Sequence, residues 1–173
     1  MKKVKLLNVA AMLLVFAFAV APGAQETSTP AERARWVEIT HKLESKPLDE
    51  SVDKEGKWAV SRISEVHDFH VLLCAGLLNE FNGMKYRYSR ELTRQYMLAT
   101  AAFMIENPDA ANNHDATNLE AVKSVLKVYS AIAQQKPDAT HKILDDLLQK
   151  QSQGKLPEYV QKKCHLSAGH GGI

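Results

Sequence analysis

The chain lacks the short signatures of several common chemistries. It has no Gly-x-Ser-x-Gly, no His-Glu-x-x-His, no Cys-x-x-Cys and no Cys-x-x-Cys-His. These absences remove the hydrolase nucleophile elbow, the zincin helix, the thioredoxin-type redox pair and covalently attached haem. A charge excess is also missing, because 22 Lys and Arg stand against 20 Asp and Glu. A near-neutral surface offers no concentrated basic face to displace counterions, so nucleic acid is not an expected partner. No apolar run reaches the ~20 residues that a helix needs to cross the hydrocarbon core of a bilayer. Strand-like alternation is absent as well, which leaves helical periodicity as the organising signal.

The first 24 residues read differently from the rest. Lys2, Lys3 and Lys5 precede an apolar stretch from residue 6 to residue 20, broken only by Asn8, and Ala19, Ala21, Gly23 and Ala24 follow. That is the three-part layout of a secretory signal peptide, with a cut expected after Gly23 or Ala24 because Pro22 disfavours one after Ala21. The expected mature chain is therefore exported, periplasmic or secreted, and has no transmembrane anchor. Three of the 22 cationic residues leave with the signal, so 19 remain against 20 acidic ones and the basic character belongs to the precursor.

Residues 25–164 read as one all-α domain, a bundle of five to six helices. A first helix runs from Ala31 to about Ser45, with Trp36, Ile39 and Leu43 on one face. Residues 48–55 read as a polar connector with at most a turn of helix near Asp49 to Val52. Ala59, Ile63, Val66, His70, Leu73, Leu77 and Phe81 then keep one face apolar for more than six turns. This spacing predicts a long, central and deeply buried second helix, ended by Asn82-Gly83. Ser89 caps a third helix that Asn107-Pro108 stops, and Asp115 or Thr117 caps a fourth. Lys136-Pro137-Asp138 joins it to a fifth, which Gly154 closes, and Pro157 opens a short sixth helix through Lys163. Residues 165–173 hold three glycines and read as a disordered tail.

In an exported protein, two cysteines are most simply one disulfide, here Cys74 to Cys164, with a pair of unrelated buried thiols as the alternative. His67, His70 and Cys74 fall within one arc of the expected second helix, and His165 and His170 follow Cys164. Such donors suit zinc or copper, but the spacing matches no zinc ribbon, so the expectation is no cofactor and a His70 packed into the core with His67 aimed elsewhere. His41, His114 and His141 read as surface residues. Lys85, Arg87, Arg90 and Arg94, interleaved with Tyr86 and Tyr88, form the one dense basic patch. It would suit an anionic partner unless the tyrosines pack inward and leave the cations in water. Glu65 with Asp68, and Asp145 with Asp146, are carboxylates most simply read as solvated helix faces. No catalytic residue is assigned.

Four stretches, residues 36–49, 86–89, 101–109 and 154–156, resemble small exported bacterial proteins with no assigned activity. The resemblance implies export and an all-helical fold and carries over no functional residue. The expected role is non-enzymatic, through contact with a protein or other partner of the periplasm or envelope. The runner-up is a small metal- or cofactor-binding protein that uses His67 and His70, and a hydrolase with a dispersed site is weaker still.

Overall fold

The computed structural model describes residues 26–168. The expected signal at 1–24 and the last residues of the expected tail lie outside them. Among the described residues there are seven α-helices and no strand: α1 (Pro30–Ser45), α2 (Glu50–Glu65), α3 (Ala75–Gly83), α4 (Ser89–Glu106), α5 (His114–Gln135), α6 (Lys142–Ser152) and α7 (Leu156–Ala168), with a 3-10 turn at Pro108–Ala110. None of these helices is long and apolar enough to cross a membrane.

Local chemistry explains most of the boundaries. Thr29 accepts from the Glu32 amide at 3.1 Å while the Glu32 carboxylate accepts from the Thr29 amide at 2.8 Å, a reciprocal capping box for α1. Asp49 accepts from the amides of Ser51 and Val52 and starts α2. Asn113 accepts from the Ala116 amide at 3.1 Å and starts α5, so the cap lies just upstream of the expected Asp115 or Thr117. Gly154 ends α6 with φ of 70°, a left-handed value that favours glycine.

The centre of the bundle is α4, which packs against α1, α2, α3 and α5. Two apolar clusters meet on it. Leu98 faces the smaller, built with Trp36, Ile39, Leu43 and Ala59 of α1 and α2. Leu92 and Tyr96 face the larger, built with Leu77 and Phe81 of α3 and the buried sides of α5, α6 and α7.

The long second helix does not exist. The chain leaves α2 after Glu65, crosses residues 66–74 as an irregular strap, and resumes helix only at Ala75. Spacing is satisfied across the gap, but composition is not, because Val66-His67-Asp68-Phe69-His70-Val71 is a run of weak helix formers. The expected connector at 48–55 is correspondingly wrong, since most of it is the first turns of α2. The helix expected to be central is replaced by α4. At the other end α7 continues to Ala168, so residues 165–168 are helical rather than disordered.

Three fastenings hold α7 against α3. Cys74 and Cys164 are joined as a disulfide with Cα atoms 5.3 Å apart. The Glu80 carboxylate accepts from the Tyr159 hydroxyl at 2.5 and 2.7 Å and from Lys163 Nζ at 3.0 Å. Burial, reinforced by Glu80, pushes the Tyr159 phenol well above its ordinary range. Leu156 and Val160 complete the contact from the core side.

The disulfide spans a sequence separation of 90 residues. In the loop-entropy account, closing a loop of that length stabilises by about 4.5 kcal/mol. Urea denaturation with and without a dithiol reductant should show a loss of that order, and the Cys164→Ser chain should match the reduced protein. A loss below about 1 kcal/mol would show that the reduced chain keeps α7 in place by itself.

Candidate functional site

The strap is held firmly at both ends. At its start, the His67 amide donates to the Glu26 carbonyl at 3.0 Å. The Asp68 carboxylate accepts from the Ser28 amide at 2.7 Å and from Arg33 Nη2 at 2.9 Å. These contacts, the Ser28 amide first, hold the Asp68 carboxyl below the usual range. The Phe69 ring lies 5.8 Å from Trp36 between centroids, with the Arg33 guanidinium 5.2 Å from its own centroid. At its end, the Cys74 amide donates to Tyr96 Oη at 3.0 Å, and Tyr96 donates in turn to Asn118 Oδ1. Burial pushes the Tyr96 phenol up to about 12.

Between these anchors, exposure alternates as it does along an extended chain. Phe69, Val71 and Leu73 are half-buried, while His70 and Leu72 are exposed. Leu72 is 61% exposed, the more exposed of the two large apolar side chains that stand out in solvent among the described residues. Beside it runs a groove of about 430 Å³, walled by Val60 and Ile63 of α2 and by Phe69, Val71 and Leu72 of the strap, with Met97 of α4 also lining it. Its polar lining side chains are Ser64 and His70.

The two candidate metal ligands are therefore not on one helical arc. His70 lines the groove and is exposed, which overturns the expectation of a packed core histidine. The reason is the strap, which turns His70 outward by two-residue alternation where a helix would have turned it inward. His67 is exposed and does not line the groove. Cys74 is bonded to Cys164, and among the described residues no group of three or more His, Cys, Asp or Glu is placed to hold a metal ion.

The basic patch is dispersed rather than assembled. Tyr86 packs inward, 7% exposed, its hydroxyl donating to the Ala139 carbonyl at 3.0 Å and its ring meeting Tyr129 and Tyr88. Arg87 reaches Asp138 at the joint between α5 and α6, at 3.1 Å. Arg94 turns the other way, to Asp53 of α2 at 2.7 Å, and lies across Gly56, where an added Cβ would come within 3.0 Å of Arg94 Nε. Lys85 and Arg90 stay exposed. His141 is half-buried against Tyr86, with ring centroids 5.5 Å apart, and so is not the surface residue expected.

A second groove, polar and about 410 Å³, lies among α1, α4 and α5. His41 stands in it with Nε2 3.1 Å from Glu106 and Nδ1 3.5 Å from Glu44. Glu44 also accepts from Ser124 Oγ at 2.6 Å and Lys127 Nζ at 3.0 Å. Gln95, buried beneath, donates to Ser124 Oγ at 2.7 Å and to the Thr40 carbonyl at 3.1 Å. Both imidazole nitrogens face carboxylates and the serine donates to a carboxylate. This is the wrong order for a hydroxyl nucleophile served by an imidazole base. The arrangement clamps helices together: His41 is exposed, as expected, and its partner Glu106 is distant in the chain.

Two outcomes follow from these contacts. Tyr96→Phe would leave the Cys74 amide and Asn118 Oδ1 without their buried partner and should cost about 1–3 kcal/mol in urea denaturation. Amide exchange at Cys74 should accelerate with it. The His41 clamp sets a pH dependence, since the hydrogen bond to Glu106, above all, raises the His41 pKa from its ordinary 6.5. A raised value means the folded state holds its proton more tightly, so this contribution is full below 6.5 and is lost as pH rises through the folded value. His41→Gln should flatten that part of the stability-versus-pH curve, and an unchanged curve would remove His41 from the account.

Comparison of the chain with protein-family models, with curated proteins and with solved structures finds no match.

Proposed function

We propose that this protein is exported and acts without catalysing a reaction, by holding an apolar partner in the groove between α2 and the strap. The observation that carries the reading is the groove itself: about 430 Å³, walled mainly by aliphatic and aromatic side chains, with Leu72 left in solvent at its edge. Its volume falls in the range of ligand pockets, roughly 300–1,000 Å³, and its lining has the usual balance of many apolar groups and few polar ones. The strap is pinned at Glu26, Ser28 and Arg33 on one side and at Tyr96 on the other, so the wall is formed before any partner arrives. A prepared wall lowers the ordering cost of binding. A disulfide and an N-terminal apolar stretch of signal-peptide type both accord with an oxidising compartment outside the cytoplasm.

Titration with the uncharged apolar dye Nile red tests the reading. One dye per chain is expected, with emission shifted to the blue. Leu72→Glu should weaken binding by about tenfold or more, since a leucine side chain contributes roughly 1.5–3 kcal/mol when fully buried. Because Leu72 lies in solvent, the melting temperature should not move. Failure of the native protein to bind, or an unchanged affinity in Leu72→Glu, would overturn the assignment.

A further inference from the structure

Resting on that reading, we propose that the groove takes a medium-chain alkyl carboxylate, with its chain against Val60, Ile63, Leu72 and Met97 and its carboxylate at His70. The polar groups of the lining select the charge of the ligand. Of the two polar side chains in the lining, Ser64 already donates its hydroxyl to the Ser61 carbonyl at 2.6 Å. His70 is exposed and, among the described residues, has no hydrogen-bond or ion-pair partner. An imidazole presents an N–H donor in either protonation state and a positive charge when protonated, so the free polar group of this groove complements an anion. The acidic side chains nearest in sequence do not compete for it. Asp68 is taken by Ser28 and Arg33, and Glu65 lies 3.6 Å from Arg62. A cationic amphiphile would find no free carboxylate in the lining. A wholly apolar ligand would leave His70 without use. A single-chain acid fits a groove of about 430 Å³ near the lower end of the usual range.

The test is a calorimetric titration of the protein with decanoic acid, decanol and methyl decanoate, each below its aggregation limit, with Nile red displacement read in parallel. Decanoate should bind one per chain and about tenfold more tightly than the other two, the worth of one charge-assisted contact. His70→Leu, which has no N–H to offer, should bring decanoate down to the level of decanol, and Leu72→Glu should weaken all three. Equal affinity for acid, alcohol and ester, or a His70→Leu chain that binds decanoate normally, would overturn the carboxylate assignment and leave the apolar groove standing. If Nile red binds but none of the three displaces it, the proposal also fails. Sedimentation then distinguishes a second copy of the chain, dissociated by Leu72→Glu, from a bilayer, seen as co-sedimentation with phosphatidylglycerol vesicles. If Nile red does not bind either, the groove reading itself is lost.

Discussion

The fold depends on what is gathered at Cys74. Its amide is held by the Tyr96 hydroxyl, its sulfur by Cys164, and the helix that begins at the next residue packs its Leu77 and Phe81 into the larger cluster. Tyr96 belongs to α4 and its hydroxyl partner Asn118 to α5, so one junction ties the strap, the central helix pair and the last helix. The junction also explains why the strap is extended. The His67 amide is given to the Glu26 carbonyl near one end and the Cys74 amide to the Tyr96 hydroxyl at the other. A helix across residues 66–74 would need those amides for its own carbonyls.

This constraint decides which parts of the architecture were legible in the sequence. The ends of α1, α4, α6 and α7 are written in local chemistry: Pro30, Asn107-Pro108, Gly154 and Pro157 each act on the backbone within a turn of themselves. All four mark boundaries in the structure to within a residue or two. The break after Glu65 has no such mark. No proline or glycine interrupts residues 60–75, and the apolar spacing continues as though the helix did. What competes with the helix is distant: Ser28 and Arg33 on Asp68, Glu26 on His67, and Cys164 on Cys74. Periodicity reports which residues prefer the interior, and Val66 and Leu77 are indeed buried, but it does not report whether a helix or a strap carries them there. The one local hint was compositional, in the succession of β-branched, aromatic and imidazole side chains from 66 to 71.

The candidate site inherits the same ambiguity. His70 is the one polar residue in the apolar spacing of 59–81, and the side it takes depends on the period the backbone adopts. A period of 3.6 turns it inward, and a period of two places it beside Leu72 at the rim of a groove. The polar cluster around His41 was illegible for another reason. Of its members, His41 and Glu44 are neighbours on α1, but Glu106 and Ser124 reach them only because α4 and α5 pack there. A clamp assembled from three helices leaves no spacing to read in any one of them.

The groove is a geometric consequence of placing a strand-width element in a helical bundle. Helices with their side chains are about 10–12 Å across and pack at axis separations of 8–10 Å. An extended chain fills less than that. Where the strap lies between the end of α2 and the face of α4 around Met97, the neighbouring helices rest on other partners, Trp36 and Ile39 on one side and Leu77 and Tyr96 on the other, and do not close over it. The apolar side chains that a continuous helix would have buried, Ile63 and Leu73 among them, are left half-covered along a channel. Covering that channel by repacking would require α2 or α4 to leave a cluster already filled by fully buried residues, which close packing resists. The channel is therefore fixed by the same junction that fixes the fold, and a ligand can cover it without moving either helix.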